Sequence, residues 1–239
     1  MTKDYILKYL KESELFFFTL EEFSHFFQIK SNYAAQIILK LKKMGGIKEV
    51  EKGKYILNEA KVEPFLIGCR SVLPSYISFK TALFIHNLLE EENDAIYIAT
   101  PKRKAPLDFR SFRFKYVTLK PYKFFGFADY FTGETYIKVA LPEKAFIDSL
   151  DELDYGPDFN DLLAMLKIIS NKFSVARLVK YAIRMKDKSL IARLGYLLEE
   201  IGIEVHIPEE FLPKDYVKLV PSEQRRGKWN QNWMIIDNR

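Results

Sequence analysis

Eight side chains between residues 31 and 54 are of types that contact DNA, and their spacing allows them to act together. The amides of Asn32 and Gln36 can each pair with adenine through two hydrogen bonds, whereas lysine ammonium groups suit phosphates or guanine edges. The predicted contact residues are Ser31, Asn32, Tyr33, Gln36, Lys40, Lys43, Lys52 and Lys54. Residues of these types predict non-covalent recognition of double-stranded DNA.

A helix followed by a basic hairpin would position these side chains. Ser31 is expected to cap a helix that ends at Gly45 and Gly46. Residues 47–50 and 55–57 read as two short strands, and the turn between them, residues 51–54, would carry lysines at its tip. One apolar stripe should bury the helix and leave the polar residues on its other face. The stripe consists of Ala34, Ile37, Ile38, Leu41 and Met44.

Two further helices are predicted upstream. Thr19, with Glu22 three residues later, is typical of a capping box that opens a helix. A first helix should span residues 4–11. From residue 30 to residue 58, seven lysines stand against two glutamates, which gives a net charge of +5. This order of elements predicts a winged helix-turn-helix DNA-binding domain in residues 1–58. The alternatives are an ordinary solvated lysine face and a unit that binds protein.

The rest of the chain is expected to form a second domain. Residues 59–74 interrupt the periodic pattern and are predicted to be a linker. In residues 75–239, short strands come first and helices dominate from residue 160, so the predicted class is α+β with a helical end. His86 lies on the apolar face of a predicted helix that Ser78 would cap, and packing is its expected role.

Composition sets the outer limits. The chain has 239 residues, 48% of them hydrophobic, a net charge of +5 and a pI near 9.0, which favours a polyanionic partner. The single cysteine, Cys69, cannot form an internal disulfide. No apolar run approaches 18 residues, and the charged N-terminus does not resemble a signal peptide. We therefore expect a cytoplasmic protein with no membrane partner.

Catalysis is not expected. The three histidines are widely spaced, Cys69 has no second cysteine with which to bind zinc, and no glycine-rich phosphate loop is present. Four acidic residues near residue 150 lack a recognisable metal-site spacing and are expected to lie in a solvated loop. They are Asp148, Asp151, Glu152 and Asp154. No catalytic residue, metal or cofactor is predicted.

Residues 102–123 form a second basic stretch, in which eight lysines and arginines stand against Asp108 alone. Aromatic residues alternate with them, a mixture that can hold nucleic acid through phosphate contacts and base stacking. The alternative is a half-exposed strand that buries one face and solvates the other. The candidates for a basic surface are Arg103, Lys104, Arg110 and Arg113.

Five segments in order resemble the AbiEi family. They are YISFKTALFIHNLL (76–89), AIYIATPKRK (95–104), FRFKYVTL (112–119), FFGF (124–127) and YIKVALPEKAFIDSL (136–150). Residues 190–202 and 229–238 look like the end of the same domain. The resemblance implies an antitoxin and autorepressor of an abortive-infection toxin-antitoxin operon. It would bind inverted repeats in its own promoter and oppose a nucleotidyltransferase toxin without a stable complex.

Two functions remain open at this level. The first is the DNA-binding antitoxin that the resemblance implies. The second is an unrelated winged-helix transcriptional regulator whose C-terminal domain senses a ligand or binds another protein. A nucleotidyltransferase gene directly downstream, with inverted repeats upstream, would favour the first.

Overall fold

The computed structural model describes residues 2–58, 62–90, 94–133 and 135–239. Helices and strands are mixed along the chain, so the predicted α+β class is confirmed. Across these described ranges, no helix combines the length and the apolar character needed to cross a membrane. We call residues 2–58 the N-terminal unit and residues 62–239 the body.

The N-terminal unit consists of three helices and a small antiparallel sheet. Strand β3 lies in the middle of this sheet, with β1 and β2 on either side. The elements are α1 (Lys3–Glu12), β1 (Phe17–Thr19), α2 (Leu20–Phe26), α3 (Ser31–Lys43), β2 (Ile47–Glu51) and β3 (Lys54–Leu57). Helix, strand, helix, helix and hairpin therefore follow one another, with the hairpin closed onto β1.

A separate cluster of apolar side chains holds the N-terminal unit together. Ile6 and Leu10 of α1 pack there with Phe23 of α2. Of the apolar stripe predicted for α3, Ala34, Ile38 and Leu41 are buried, Ile37 is half-buried and Met44 is half-exposed. The 3.6-residue period thus identified the buried face of α3, and it failed only at the C-terminal end, where the helix has already stopped.

The predicted helix caps at Thr19 and Ser31 have different outcomes, and Ser78 takes the cap position of the helix at Phe79–Ile85 without a side-chain cap hydrogen bond. The capping box at Thr19 is confirmed, because the Thr19 hydroxyl accepts from the Glu22 N–H at 3.1 Å and the Glu22 carboxylate accepts from the Thr19 N–H at 2.8 Å. Ser31 as the cap of α3 is wrong. It is the first helical residue, and Lys30, with extended backbone, takes the cap position without a side-chain hydrogen bond.

Part of the segment predicted as a linker is a packed helix, α4 (Pro64–Arg70). Ile67 and Cys69 are buried in the large core of the body. Phe17 and Ile56 of the N-terminal unit belong to the same core. Apolar residues in this segment therefore join the two parts, and the division of the chain into domains stays a prediction.

The body is built around a six-stranded mixed sheet in the order β6-β7-β5-β4-β9-β8. The pairs β5 with β7 and β4 with β9 are parallel, and the other neighbours are antiparallel. The strands are β4 (Tyr76–Ile77), β5 (Ile96–Thr100), β6 (Leu107–Phe109), β7 (Phe112–Thr118), β8 (Phe127–Phe131) and β9 (Tyr136–Ala140). The alternation predicted for β7 buries Phe114 and Tyr116.

Five helices and a small terminal sheet complete the body. Helix α6, which starts at Pro142 as predicted, packs against α5, α7, α8 and α9. The helices are α5 (Phe79–Ile85), α6 (Pro142–Asp151), α7 (Phe159–Lys172), α8 (Val175–Arg184) and α9 (Lys188–Glu200). The terminal strands are β10 (Val217–Lys218), β11 (Lys228–Asn230) and β12 (Ile235–Asp237).

Charged side chains of α6 are buried, although the sequence predicted that the acidic residues near residue 150 lie in a solvated loop. Asp148 is fully buried and pairs with the equally buried Lys144 one helical turn earlier. Asp151 pairs with Lys123 at 2.7 Å and is also nearly buried. The expectation was wrong for both aspartates because four helices cover α6, and an acidic count cannot reveal such coverage.

Candidate nucleic-acid interface

The exposed face of α3 gathers most of the side chains predicted to contact DNA. Asn32, Gln36, Lys40 and Lys43 are exposed and are spaced by four, four and three residues, so they lie on the side opposite the buried stripe. Leu39, which is 54% exposed, lies on the same face. Leu39 was not among the predicted contact residues, although the helical period places it on this face. An apolar side chain suits a thymine methyl group.

Tyr33 occupies the side of α3 that turns towards α1. It lines a depression of about 200 Å³ together with Gln36, Lys40 and Lys3. Ser31, at the start of α3, is exposed, and the first turn carries no acidic side chain. This end of α3 therefore combines free backbone donors with nearby lysines, an arrangement that favours anions.

Aromatic contacts fix α1 against α2. The ring of Tyr9 lies 5.4 Å from that of Phe26 and 5.9 Å from that of Phe27. The turn from α2 to α3 is closed by the Ser24 hydroxyl, which donates to the Ile29 carbonyl at 2.6 Å. These contacts hold α3 at a fixed angle to α2, so its polar face has a defined direction.

The β2–β3 hairpin is tighter than predicted. Its turn consists of Lys52 and Gly53 alone, with a register shift between Glu49 and Glu51. Gly53 has a φ of +78°, which favours glycine, and its N–H donates to Glu49 at 3.2 Å. Glu49 also accepts a hydrogen bond from Lys42, and this bond lowers the pKa of the Glu49 carboxyl. Lys52 remains exposed at the tip.

Lys54 lies inside the junction with the body, away from the hairpin tip. Its ammonium group donates to Glu51 at 2.9 Å and to the carbonyl of Ser71. Lys104, only 15% exposed, pairs with the same Glu51 carboxylate, and its Nζ lies 5.2 Å from the centre of the Tyr116 ring. The two lysines therefore neutralise an acidic group between the parts of the chain.

The protonation of Glu51 reflects this position. Burial acts to raise the pKa of its carboxyl, but the hydrogen bonds from Lys104 and Lys54 outweigh burial and lower it. Glu51 is thus held as a carboxylate, and the lysines beside it are occupied. The sequence predicted Lys54 at the tip of a four-residue turn. The turn has only two residues, so Lys54 lies within β3.

The remaining basic candidates lie in the body and are exposed. Arg110, in the β6–β7 turn, has a φ of +55° and donates to the carbonyl of Asn58 at 3.4 Å. Arg113 donates to Asp108 at 3.1 Å. Arg103 lies in the connection between β5 and β6. The β6–β7 turn therefore lies beside the end of β3, and the structure brings Arg110 next to the N-terminal unit.

Two side chains considered for catalysis, His86 and Cys69, are engaged within the body. The Nε2 atom of His86 lies 2.7 Å from the carbonyl oxygen of Ala140. Burial raises the pKa of the Cys69 thiol to about 12, which keeps it protonated. In the part of the chain that the structure describes, no group of three or more His, Cys, Asp and Glu side chains could hold a metal ion.

One cavity in the body has a volume of about 470 Å³. Pro64 and Phe65 of α4 form one wall of it, and Phe84 and Phe112 are half-exposed at its edge. The far end of α4 contacts the N-terminal unit, because Arg70 pairs with Glu22 of the capping box. Helix α4 therefore connects the cavity to the start of α2.

Comparison with known proteins yields a structural likeness. No protein-family model matches the sequence, and no curated protein matches it. The fold is similar to the crystal structure of the RV2827C protein from Mycobacterium tuberculosis, with a TM-score of 0.63 and 14% sequence identity. The match covers 96% of this chain and 89% of that chain. At this identity the likeness concerns the fold alone.

Proposed function

We propose that the N-terminal unit is a winged helix-turn-helix that binds double-stranded DNA, with α3 as the recognition helix and β2–β3 as the wing. The observation that carries the proposal is the polar, exposed face of α3 opposite its buried stripe. Lys52 supplies an exposed cation at the hairpin tip. A helix of this kind can enter the major groove while the hairpin contacts the backbone.

The proposed contact set is narrower than the sequence suggested. Lys54 is engaged with Glu51 and Ser71, so we assign it to holding the wing in place. Asn32 and Gln36 are proposed to read bases. The proposed phosphate contacts come from Lys40, Lys43 and Lys52, with Ser31 and Tyr33 at the start of the helix. Three lysines at separate phosphates would give a salt slope of about −2.7.

The wider proposal is a DNA-binding antitoxin and autorepressor of a toxin-antitoxin operon. It rests on the resemblance of residues 76–150 to the AbiEi family. The chain would bind inverted repeats in its own promoter and oppose a nucleotidyltransferase toxin, without a stable complex, in the cytoplasm. The exposed Arg103, Arg110 and Arg113 are the candidates for a separate role of the body in neutralising the toxin.

Binding titrations test the DNA proposal. The probes are the duplex upstream of the chain's own gene and a scrambled duplex, each at several salt concentrations. Gln36→Ala should relax base preference at one position at a cost of about 1–3 kcal/mol. Lys52→Ala should weaken both duplexes alike and reduce the salt slope by about 1. Lys8→Ala, an exposed lysine on α1, is the matched control. Unchanged binding in both test variants would remove the assignment.

A growth assay tests the role of the body. Changing Arg103, Arg110 and Arg113 to glutamate should abolish rescue of cells that express the cognate toxin, while repression of the promoter persists. Exposed charge changes rarely unfold a protein, so circular dichroism should be nearly unchanged. Lys138→Glu, at an exposed ion pair on the far side of the sheet, is the control. Full rescue by the folded triple variant would contradict this role.

The second candidate function, a ligand-sensing regulator, is favoured by the cavity beside α4. A ligand in the cavity would contact Phe65, at the start of α4. At the other end of α4, Arg70 pairs with Glu22, and the carbonyl of the next residue, Ser71, accepts a hydrogen bond from Lys54. Occupancy could thus shift both α2 and the wing. A downstream nucleotidyltransferase gene would favour the antitoxin, and its absence would favour the sensor.

A further inference from the structure

We propose that the body carries a second nucleic-acid-binding surface, which accepts a single strand by stacking a base on Tyr122. This surface, the Tyr122 patch, shares no residue with α3 or the wing, and the proposal does not depend on the function proposed above. Its members come from the segment after β7, from α8 and from the turn after α8. They are Lys120, Tyr122, Arg177, Lys180, Arg184 and Lys186.

Tyr122 presents an aromatic ring between two cations. It is 39% exposed, in a short 3-10 turn that spans Pro121–Lys123. The Nζ atom of Lys120 lies 5.9 Å from the ring centre, and that of Lys186 lies 5.4 Å from it. A base would stack on this ring by displacing an ammonium group from its face, and the displaced group would remain beside the phosphate of that base.

The segment that carries Tyr122 is anchored to α8 through Phe125. Phe125, three residues later, is buried and makes an edge contact with Tyr181 of α8 at 5.3 Å. The guanidinium carbon of Arg184 lies 3.9 Å from the centre of the Phe125 ring, which fixes that cation close to the turn. The segment after β7 and the end of α8 thus form one surface.

The positive charge continues along α8. Arg177, Lys180 and Arg184 are exposed and are spaced by three and four residues, so they form one stripe about 10 Å long. Arg177 pairs with Glu143 at 3.2 Å. Among the described residues, no carboxylate lies within ion-pairing distance of the other two or of Lys186.

Two aspartates near the patch make hydrogen bonds to other groups. Asp187 accepts from the N–H groups of Ser189 and Leu190 at 2.9 and 3.1 Å and so caps α9. Asp151 binds Lys123, which is turned inward and does not belong to the patch. Among the described residues, Lys120, Lys180, Arg184 and Lys186 make no ion pair, and their exposed charges are available to a polyanion.

Lys186 occupies a position that glycine would fill more readily. Its φ is +56°, in the left-handed region, immediately after the end of α8. A side chain there is strained relative to glycine. This backbone conformation brings the ammonium group to the Tyr122 ring. Lys186→Gly would therefore remove the charge and relieve the backbone strain.

The patch lies at the opposite end of β7 from Arg113, whereas Arg103 lies at the same end as the patch, because the hydroxyl of Thr118 donates to the carbonyl of Lys102. Arg113 lies near the start of β7 and Lys120 follows its end, and a seven-residue strand is about 20 Å long. The Tyr122 patch and Arg113 are therefore separate surfaces.

The exposed ring decides which polyanion fits. A duplex keeps its bases stacked inside, whereas a single strand offers base faces to an aromatic side chain and phosphates to the surrounding cations. An acidic protein would use the lysines and would gain little from Tyr122. Ribose and deoxyribose strands share the chemistry, and separate probes distinguish them.

Fluorescence anisotropy of the full chain provides the test, with labelled 12-residue oligo-U, oligo-dT and a scrambled duplex as probes. Tyr122→Ala should weaken single-strand binding by about 5- to 150-fold, equivalent to about 1–3 kcal/mol per stacked base, and should leave duplex binding unchanged. Lys186→Gly should also weaken single-strand binding without lowering the melting temperature. The oligonucleotide that binds more tightly identifies the sugar.

Tyr136→Ala is the matched control, because Tyr136 is a 68% exposed tyrosine at the start of β9. It should bind both oligonucleotides as the wild type does. Equal affinities of Tyr122→Ala and Tyr136→Ala would overturn the proposal, as would a wild type that binds neither strand. Displacement of the strands by polyglutamate, with no effect of Tyr122→Ala, would overturn it in favour of an acidic protein partner.

Discussion

Replacing Asp148 with asparagine should strongly destabilise the protein. The Asp148 carboxylate accepts from the Tyr76 hydroxyl at 3.1 Å and from the Ser78 hydroxyl at 2.7 Å, and it is paired with Lys144. Both charged side chains are fully buried. Asparagine would preserve the shape of the side chain and remove its charge, which leaves the Lys144 ammonium group in an apolar environment.

The expected magnitude follows from that burial. Removing one partner of a buried ion pair costs about 3–5 kcal/mol, because the other charge is left uncompensated. For a chain of this length, about 1 kcal/mol corresponds to about 2–4 °C in melting temperature, so the melting temperature should fall by about 6–20 °C. A protein with a total stability of about 5–15 kcal/mol would lose a large fraction of it.

The loss should depend on pH in a defined direction. Burial lowers the pKa of Lys144 below its ordinary value of 10.5, although Asp148 opposes this effect. Without Asp148 the pKa should fall further. Between the folded and the unfolded pKa of Lys144, the unfolded state binds more protons, so stability rises with pH. The deficit of the Asp148→Asn variant should therefore be smaller at pH 10 than at pH 7.

Thermal unfolding followed by circular dichroism measures both effects. Asp129→Asn is the matched control, because Asp129 forms an exposed pair with Lys138 that should contribute less than about 1 kcal/mol. The double variant with Lys144→Met should be less destabilised than the sum of the two single variants. A melting temperature of Asp148→Asn equal to that of the control would contradict the buried pair. So would a double variant whose loss of stability equals the sum of the losses in the two single variants.

Two further predictions concern the C-terminal part. A Cβ at Gly195 would lie 2.1 Å from the Trp233 ring, so Gly195→Ala should cost about 1–3 kcal/mol in thermal unfolding, and an unchanged melting temperature would contradict this contact. Hydrogen bonds from Arg239 lower the pKa of Asp237 to about 2, and its stabilising effect should be lost as the pH falls from about 4 towards 2. In Arg239→Ala, NMR titration should find this pKa nearer 3.8 and acid unfolding should begin at a higher pH; an unmoved pKa would refute the assignment.

Features of the fold that depend on neighbours in the sequence were predictable. The capping box joins Thr19 and Glu22, and the stripe of α3 repeats every three or four residues. Each pattern can therefore be recognised from residues about one helical turn apart. The same period identified the exposed residues Asn32 and Gln36. The α+β class was also predictable, because strand and helix periodicities are both local patterns in the sequence.

The failures occurred where a long-range contact overrides a local pattern. Lys54 has the same charge as Lys52, but a one-position difference in where β3 begins directs Lys54 towards Glu51 and Ser71. The local sequence does not distinguish the exposed Lys52 from the half-buried Lys54. Turn length and the position of α4 decide between them.

The sequence by itself determined the capped helix, the apolar stripe and the polar face of α3, because each is set by residues within about one or two helical turns. Only the tertiary structure decided that Glu51 meets Lys104 from 53 positions away and that Lys186 reaches the ring of Tyr122. Such pairs form when the chain closes long loops to bury its core, and the free energy of that burial belongs to the whole packed chain.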